Sequence, residues 1–239
     1  MILFYSKELD PKDEIQYFFH LGIEESHHAI HVMRLIKGDK IWITNGKGEL
    51  WEAEIIKAHP KSCEIQLITV LRTPFRNYQV HLGIAPTKNI DRLEWFLEKA
   101  TEIGIDSIHP YICQNSERRQ INAERLEKVL ISAMKQSGQS NLPILHELKP
   151  FQKFLDHERS GEKWIAHCRT HERLPIGEVI RLSESRVFHV LIGPEGDFTE
   201  EEIQMANSKG FIGIHLGNNR LRTETAALLT IARLSELEF

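Results

Sequence analysis

Two patterns of apolar and polar residues divide the chain near residue 72. Before this point the two classes alternate over short runs, as they do in strands with one buried face. The strands predicted from this alternation are 41–44, 50–56 and 63–71. A short helix is predicted over 25–35, and Asn45-Gly46 predicts a hairpin turn in which both residues have positive φ. Because no helical pattern separates the strands, residues 1–72 are predicted to form a small β-barrel.

After residue 73, apolar runs alternate with segments of helical periodicity. Pro74 marks the break, so 73–77 is the predicted linker. The predicted strands are 80–85, 105–112, 144–148, 164–168, 187–192 and 211–216. The predicted helices are 91–103, 123–137 with Asn122 as its cap, 151–157, 176–182, and two that follow Thr199 and Thr223. This alternation predicts an α/β domain over 73–239 with a mostly parallel sheet.

Two strand-to-helix loops near the C-terminus are the candidates for a binding site. The first is Gly193-Pro194-Glu195-Gly196-Asp197, and Thr199 and Glu202 after it predict a capping box. The second runs from Gly217 to Arg222. Loops at the carboxyl ends of neighbouring parallel strands often form a ligand crevice, although two ordinary turns would give the same pattern. Neither loop is a GxGxxG motif or a P-loop, so a standard dinucleotide or triphosphate site is not indicated.

Composition places the chain among soluble globular proteins, with 41% hydrophobic and 27% charged residues. No apolar run approaches the roughly 18 residues that span a bilayer, and no secretory signal is visible at the N-terminus. The odd number of widely spaced cysteines, Cys63, Cys113 and Cys168, argues against a disulfide framework. A cytoplasmic location is therefore expected. No spacing of histidines, cysteines and carboxylates predicts a metal site.

The net charge of −4 does not indicate a nucleic-acid-binding protein. Phosphate affinity normally comes from clustered lysines and arginines, and no segment of this chain is a basic block. An RNA substrate would therefore require basic residues to cluster on one face. Candidates for such a cluster are Arg34, Arg92, Arg118, Arg119 and Arg220.

The two loops resemble the paired motifs of the SPOUT methyltransferases, and more closely those of the RsmE-type family. The motifs are Gly193-Pro194-Glu195-Gly196 and Leu221-Arg222-Thr223-Glu224-Thr225-Ala226, and further similarity lies in His28–Arg34, Lys88–Gly104 and Gln136-Ser137-Gly138. The resemblance covers essentially the whole chain. It implies methylation of the N3 atom of one uridine in 16S ribosomal RNA, with S-adenosylmethionine as the methyl donor.

The same resemblance implies an architecture and partners. Residues 1–72 would be a PUA-like RNA-binding domain, and 73–239 a SPOUT catalytic domain with a C-terminal trefoil knot. The protein would be a homodimer that acts on 16S ribosomal RNA, with an assembled small subunit favoured as the substrate. Neither a metal nor a membrane is expected to be involved.

The resemblance and the chemistry of methyl transfer together suggest roles for individual residues. The expected cofactor-binding residues are Ile192, Gly193, Pro194, Gly196, Leu216, Gly217, Leu221, Thr223 and Thr225. Arg222 is expected to stabilise the anion of the uracil imide, and Glu195 to lie near the sulfonium. The expected RNA contacts are Arg34, Lys88, Arg92, Lys99 and Arg118. No residue stands out as a general base.

Simpler roles remain open for several of these residues. Glu195 could be a turn residue that bonds the Asp197 or Phe198 amide, and Thr223 is expected to cap the last helix. Arg222 could form a salt bridge with Glu195 or Glu224. The basic residues of helix 91–103 could be solvated charges paired with acidic neighbours.

The chain departs from the family pattern at a few positions, and it leaves other functions open. The departures are Gln139, Asp197, Asn218 and Asn219. They put details of RNA binding in doubt more than methyl transfer itself. The alternatives are a SPOUT methyltransferase that acts on another RNA nucleotide and a non-catalytic RNA-binding factor in ribosome assembly.

Overall fold

A computed structural model of the chain describes residues 2–10, 17–72, 76–169 and 172–238. The chain divides into two compact units, Met1–Phe75 with Ile131–Leu142 and Arg76–Leu130 with Pro143–Phe239. Most of the predicted linker, 73–75, lies outside the described residues. Within the described part, no helix combines the length and hydropathy that crossing a membrane requires.

The first unit is built on one mixed sheet. Its strands in the described residues are β1 (Leu3–Tyr5), β2 (Phe18–His20), β3 (Lys40–Thr44), β4 (Glu49–Lys57) and β5 (Glu64–Arg72), in the order β1-β3-β4-β5-β2. β1 pairs with β3 in parallel, and the other pairs are antiparallel. Among the described residues, the three-residue strands β1 and β2 each pair on one side only, so the described pairs do not close the predicted barrel.

One helical segment accompanies this sheet. Helix α1 (Ile23–His27) continues directly as a π-helical segment, His28–Val32, where the sequence predicts a single short helix. The core of the unit includes alternate strand residues that point to one face, and Phe4, Ile43 and Ile55 are fully buried there.

The hairpin between β3 and β4 differs from the predicted Asn-Gly turn. Thr44 pairs with Leu50, and Gly46 has a φ of 77°, whereas Asn45 is not among the residues with positive φ. The Asn45 side-chain oxygen accepts a hydrogen bond from the Lys47 N–H at 2.9 Å. The asparagine thus forms the turn through its side chain, so the predicted positive φ is wrong for Asn45.

The segment Ile131–Leu142 joins the first unit although it is distant from it in sequence. The Leu142 N–H donates to the Gly46 oxygen at 2.9 Å, and the Thr44 hydroxyl donates to the Ser140 oxygen at 3.2 Å. Lys135 Nζ lies 2.6 Å from Glu25 Oε1. The predicted boundary near residue 72 therefore leaves out a segment that belongs to the first unit in the structure.

The second unit is a parallel α/β sheet, as predicted. Its strands in the described residues are β6 (Gln79–Ile84), β7 (Ser107–Ile112), β8 (Ile144–Leu145), β9 (Lys149–Pro150), β10 (Glu162–Ala166), β11 (Leu174–Pro175), β12 (Val187–Ile192) and β13 (Ile212–His215). Their order is β11-β13-β10-β12-β6-β7-β8, and β9 also pairs with β7. All of these described pairs are parallel.

The helices of this unit mostly follow the predicted periodicity. They are α2 (Ile90–Ile103), α3 (Ala123–Ser137), which continues into the first unit, α4 (Phe151–Leu155), α5 (Ile176–Leu182), α6 (Glu200–Ser208) and α7 (Thr223–Ser235). A 3-10 turn, Glu236–Glu238, follows α7. Asn89 caps α2 through its side chain, and Gly104 ends α2 with a φ of 109°.

The strand order positions the candidate site. β10 lies between β12 and β13, with Ile165 paired to Leu191 on one side and to Gly213 on the other. The carboxyl ends of these three parallel strands therefore meet at one edge of the sheet. The loops that follow them are the places where an open α/β sheet binds ligands.

Candidate active site

A cavity of about 310 Å³ lies at the carboxyl ends of β10, β12 and β13. We call it the inner cavity. It is lined by Ala166, His167, Cys168, Arg173, Ile192, Gly193, Pro194, Glu195, Asp197, Ile214, His215, Leu216, Gly217, Asn219, Arg220, Leu221, Arg222, Thr223 and Ala226. Much of this lining is apolar or backbone, with a few charged groups, which is typical of a small-molecule site.

Most of the residues predicted to bind the cofactor line the inner cavity. The exceptions are Gly196, which lines an adjoining cavity, and Thr225, which is exposed on α7 and lines neither. Both predicted catalytic residues, Arg222 and Glu195, line the inner cavity. The structure thus brings the two sequence motifs to one place.

The first loop is a tight turn held by Asp197. The Asp197 N–H donates to the Pro194 oxygen at 2.9 Å, and Asp197 has a φ of 62°. Its carboxylate accepts the N–H groups of Phe198 and Cys168, each at 2.8 Å. Aspartate tolerates positive φ better than most residues, so it can occupy this position of the turn. Asp197 therefore connects the loop after β12 to the loop after β10.

Glu195 connects the first loop to the segment before α2. Its Oε1 accepts the Lys88 N–H at 2.9 Å, and the guanidinium of Arg118 donates to the Thr87 and Lys88 oxygens at 3.0 and 2.8 Å. The alternative in which Glu195 bonds the Phe198 amide is wrong, because the Asp197 carboxylate accepts that N–H. The Asp197 N–H is likewise taken by the Pro194 oxygen.

Thr223 joins the second loop to the first. Its buried hydroxyl donates to the Gly193 oxygen at 3.0 Å. The prediction that Thr223 caps α7 is wrong, because the cap position is held by Arg222, whose backbone is extended, and Thr223 is the first helical residue. The threonine hydroxyl therefore joins the two loops.

Arg222 is exposed beside the inner cavity. Within the described ranges, no carboxylate forms an ion pair with it, so the alternative of a salt bridge to Glu195 or Glu224 is wrong. Glu224 is instead buried, with its Oε1 at 3.9 Å from Arg92 Nε. The Arg222 charge thus remains available to a ligand.

The predicted RNA contacts are mostly engaged within the protein. Lys88 Nζ pairs with Glu117 at 2.7 Å, and Lys99 Nζ pairs with Glu98 and Glu102 at 2.8 Å each. Arg92 faces Glu224, and Arg118 donates to backbone oxygens as described above. The fifth, Arg34, is exposed in the first unit, with a φ of 57°. Lys99 therefore matches the alternative in which the basic residues of helix 91–103 pair with acidic neighbours.

Tyr111 forms a hydrogen bond with the carboxyl end of β12. Its hydroxyl donates to the Ile192 oxygen at 2.9 Å and lies 3.3 Å from the Gly83 oxygen. Burial raises the pKa of this phenol well above its ordinary value, so the hydroxyl stays protonated and remains a donor. A side chain at Gly83 would collide with the tyrosine ring, since its Cβ would lie 2.6 Å from it.

Sequence reasoning missed the contribution of β10 to this site. Ala166, His167, Cys168 and Arg173 line the inner cavity, yet they lie in a segment with no recognisable motif. Their position follows from the strand order, which places β10 between β12 and β13. The one usable signal is that polar residues follow directly after a buried strand.

The lining suits an adenosyl ligand. Ile192, Pro194, Leu216 and Leu221 offer apolar surface, and the loops offer backbone amides and carbonyls that can fix orientation without adding charge. Gly217 has a φ of 124°, with open space where a side chain would project. No three metal-ligating side chains of the described residues come together to hold an ion.

Comparison with known proteins identifies relatives of both units. Residues 74–235 match the family described as RNA methyltransferase domain, and 22–68 match the RNA methyltransferase PUA domain. A ribosomal RNA small subunit methyltransferase E from Rickettsia conorii is 30% identical over 217 residues, which covers 87% of each chain.

Two solved structures share the fold across the chain. A probable rRNA-methyltransferase from Porphyromonas gingivalis has a TM-score of 0.86 and 33% identity, and covers 100% of this chain and 98% of its own. A ribosomal RNA small subunit methyltransferase E from Neisseria gonorrhoeae, bound to S-adenosyl methionine, has a TM-score of 0.85 and 27% identity, with 99% and 98% coverage.

Proposed function

This chain belongs to the RNA methyltransferase family that includes ribosomal RNA small subunit methyltransferase E, and on that premise we propose that it methylates 16S ribosomal RNA. The methyl donor would be S-adenosylmethionine, and the acceptor the N3 atom of a uridine. The observation that carries the proposal is the inner cavity, in which both family motifs meet and are joined by the bond from Thr223 to Gly193.

The loops of the inner cavity would hold the cofactor. S-adenosylmethionine supplies, when bound, a methyl group attached to a sulfonium centre. Ile192, Leu216 and Leu221 would contact its adenosyl part, and the backbone of both loops would fix its orientation. Glu195, held through the Lys88 amide, would place negative charge near the sulfonium. Positioning of two reactants in this way supplies much of the acceleration in a displacement reaction.

Arg222 would act on the acceptor. The uracil N3 must lose its proton before it can attack, and a nearby guanidinium stabilises the resulting imide anion while water takes the proton. Arg222 suits this role because it lies exposed at the inner cavity with no ion-pair partner in the described part of the chain. Loss of one such preorganised charge typically lowers kcat by about 10²- to 10³-fold.

Methyl transfer from labelled S-adenosylmethionine tests the proposal. The acceptors are hypomethylated small ribosomal subunits and free 16S ribosomal RNA, and mass spectrometry identifies the product nucleoside. We expect 3-methyluridine, and a kcat about 10²-fold lower for Arg222→Ala with unchanged cofactor affinity. Arg233→Ala is the matched control, because Arg233 is an exposed α7 arginine that pairs with Glu236.

Two other outcomes contradict the proposal in different ways. A different methylated nucleoside would support the proposed cofactor and contradict the proposed target. Cofactor binding without methyl transfer to any RNA would favour a non-catalytic role in ribosome assembly. A normal rate in Arg222→Ala would show that Arg222 takes no part in the reaction, and the rest of the proposal would stand.

The proposal extends to architecture and context. We propose that the C-terminal segment is a trefoil knot, and the pairing of β13 with β10 beside β12 supports such threading. We also propose a cytoplasmic homodimer that acts on the assembled small subunit. The large exposed fraction of Trp95, 44% on the helix that packs against α7, supports a second copy on this face. Light scattering of the purified protein tests the dimer.

A further inference from the structure

A second cavity, of about 660 Å³, adjoins the inner cavity. We call it the outer compartment. It is lined by Cys168, Arg169, Arg173, Gly196, Asp197, His215, Gly217, Asn218, Asn219 and Arg220. Most of these residues also line the inner cavity, so the two are parts of one opening. Asn218, Asn219 and Arg220 are exposed, which leaves the outer compartment accessible to a macromolecule.

The outer compartment is cationic in a chain whose net charge is −4. Arg169, Arg173 and Arg220 contribute three guanidinium groups, and Asp197 contributes one carboxylate. Both oxygens of that carboxylate accept backbone N–H groups, at 2.8 Å each. None of the three arginines forms an ion pair with a carboxylate in the ranges that the structure describes. Their positive charge is therefore not neutralised by a contacting carboxylate within these ranges.

The three arginines differ in how they are held. Arg169 Nε donates to the Phe198 oxygen at 3.0 Å. The pKa of Glu201 is lowered mainly by hydrogen bonds from the helix backbone and from Thr199, and the Arg169 charge contributes to the same shift. Arg173 is half-buried and donates from Nη1 to the His167 oxygen at 2.6 Å. A guanidinium carries five N–H donors, so this one bond fixes Arg173 and leaves others for a ligand.

We propose that the outer compartment binds a phosphodiester group of the RNA substrate next to the target uridine. Arg173 is the fixed contact, and Arg220 is the contact at the rim. Guanidinium groups suit phosphate oxygens because they donate two parallel hydrogen bonds. The inference rests on the proposed function, and it accounts for RNA binding by an acidic chain whose Lys88, Lys99 and Arg118 are engaged internally.

The test compares Arg220→Gln and Arg173→Gln with wild type and with Arg181→Gln. Arg181 is an exposed arginine of α5 that lines neither cavity, so it is the matched control. The affinity for 16S ribosomal RNA is measured against potassium chloride concentration, with S-adenosylhomocysteine present so that no turnover is needed. The KM for RNA, the kcat and the Kd for S-adenosylmethionine are measured beside it.

Each compartment variant is expected to lower the slope of log affinity against log salt by about 1, as loss of one phosphate contact does. The ratio of wild-type affinity to variant affinity then shrinks about fourfold between 50 and 200 mM salt. The KM for RNA rises by a larger factor than the cofactor Kd does, and both are measured because Arg173 and Arg220 also line the inner cavity. Arg220→Lys keeps a point charge and should retain most of the slope. Because Arg220 is exposed, its variants are expected to fold normally.

Other results overturn the inference. An unchanged salt slope in Arg220→Gln, in an enzyme that still methylates RNA, contradicts the phosphate site and leaves the proposed function standing. A raised cofactor Kd with an unchanged slope would mean that the arginines bind the carboxylate of the cofactor instead. Absence of methyl transfer by wild type is a separate failure, of the proposed function.

Discussion

Two side chains hold the loops of the inner cavity together, and each does so with one or two hydrogen bonds. Asp197 connects the loop after β12 to Cys168 after β10, and Thr223 connects α7 to Gly193. Both are buried or half-buried, so a lost bond leaves a backbone group without a partner. Such a group costs about 1–3 kcal/mol. Loop geometry, and with it cofactor affinity, should therefore depend on single polar atoms.

Thr223→Val tests this dependence. Valine keeps the shape of threonine and removes the hydroxyl, so the Gly193 oxygen loses its donor. We expect the Kd for S-adenosylmethionine to rise about tenfold, the equivalent of a single hydrogen bond. Isothermal titration calorimetry measures it. Thr223→Ser retains the hydroxyl and is the matched control, and equal affinities for the valine and serine variants would contradict the role.

Sequence patterns located these residues without revealing their bonds. The motif around Arg222 and Thr223 was recognisable, yet the expected cap at Thr223 is wrong because its hydroxyl reaches across to Gly193. Likewise, the sequence indicates Glu195 as a site residue, but the bond from the Lys88 N–H to Glu195 joins residues 107 positions apart. The chemistry of a short motif predicts hydrogen bonds between residues that are close in sequence. Contacts between residues that are distant in sequence depend on the strand order.

At the scale of elements, the start of α6 is the clearest agreement between sequence and structure. The predicted capping box is present, with Thr199 Oγ1 accepting the Glu202 N–H at 3.2 Å and Glu202 Oε2 accepting the Thr199 N–H at 2.9 Å. Glu202 Oε1 also accepts the Gln114 N–H, at 2.8 Å. The buried Glu202 thus connects the start of α6 to the loop after β7, a link that the sequence does not show.

Glu202→Gln should destabilise the protein more than Thr199→Ala does. Glutamine has one accepting oxygen, so its amide would face one of the two backbone N–H groups and leave it unsatisfied, at about 1–3 kcal/mol. Thr199→Ala removes only the cap, at about 1 kcal/mol. Urea unfolding of both variants measures the difference. If Glu202→Gln costs no more than Thr199→Ala, the bond to Gln114 contributes nothing.

At the scale of the whole molecule, periodicity predicted the α/β class and most element positions but not the arrangement of the chain. Strong apolar runs such as 187–192 were located at their observed bounds. The placement of β10 between β12 and β13, and of Ile131–Leu142 in the first unit, could not be predicted. Both result from which apolar faces pack together, and many arrangements satisfy the same periodicity.

The parallel register also aligns four histidines on one face of the second sheet. His189 and His81 pair directly and stack at 4.8 Å, and the His109 and His146 rings stack at 4.0 Å. The Ser107 hydroxyl lies between His81 Nδ1 and His109 Nε2, at 2.7 and 2.8 Å. We call these four residues the histidine row.

Burial keeps the histidine row neutral. It lowers the pKa of His109 to about 3 and that of His189 to about 4, and the pKa values of His81 and His146 are lowered as well. Positive charges near the row act in the same direction, and Asp106 opposes them at His81. Those positive charges are Lys149, Arg159 and Lys163.

Acid should therefore destabilise the second unit. A histidine whose pKa is lowered by folding stabilises the native state fully above its unfolded pKa of about 6.5. That stability is lost as the pH falls from about 6.5 towards the folded pKa of about 4 for His189 and about 3 for His109, because the unfolded chain binds the protons first. Each group adds at most about 1.4 kcal/mol per pH unit, and less where water screens it.

Urea midpoints between pH 7.5 and 4.5 measure the effect. The wild-type midpoint is expected to fall below pH 6.5, and His109→Gln to fall less steeply, because the variant unfolds with uptake of one proton fewer. His157→Gln is the control, since His157 is exposed and outside the row, and its curve should parallel wild type. A His109→Gln curve parallel to wild type would mean that carboxylates elsewhere, and not the buried imidazoles, set the acid sensitivity of this fold.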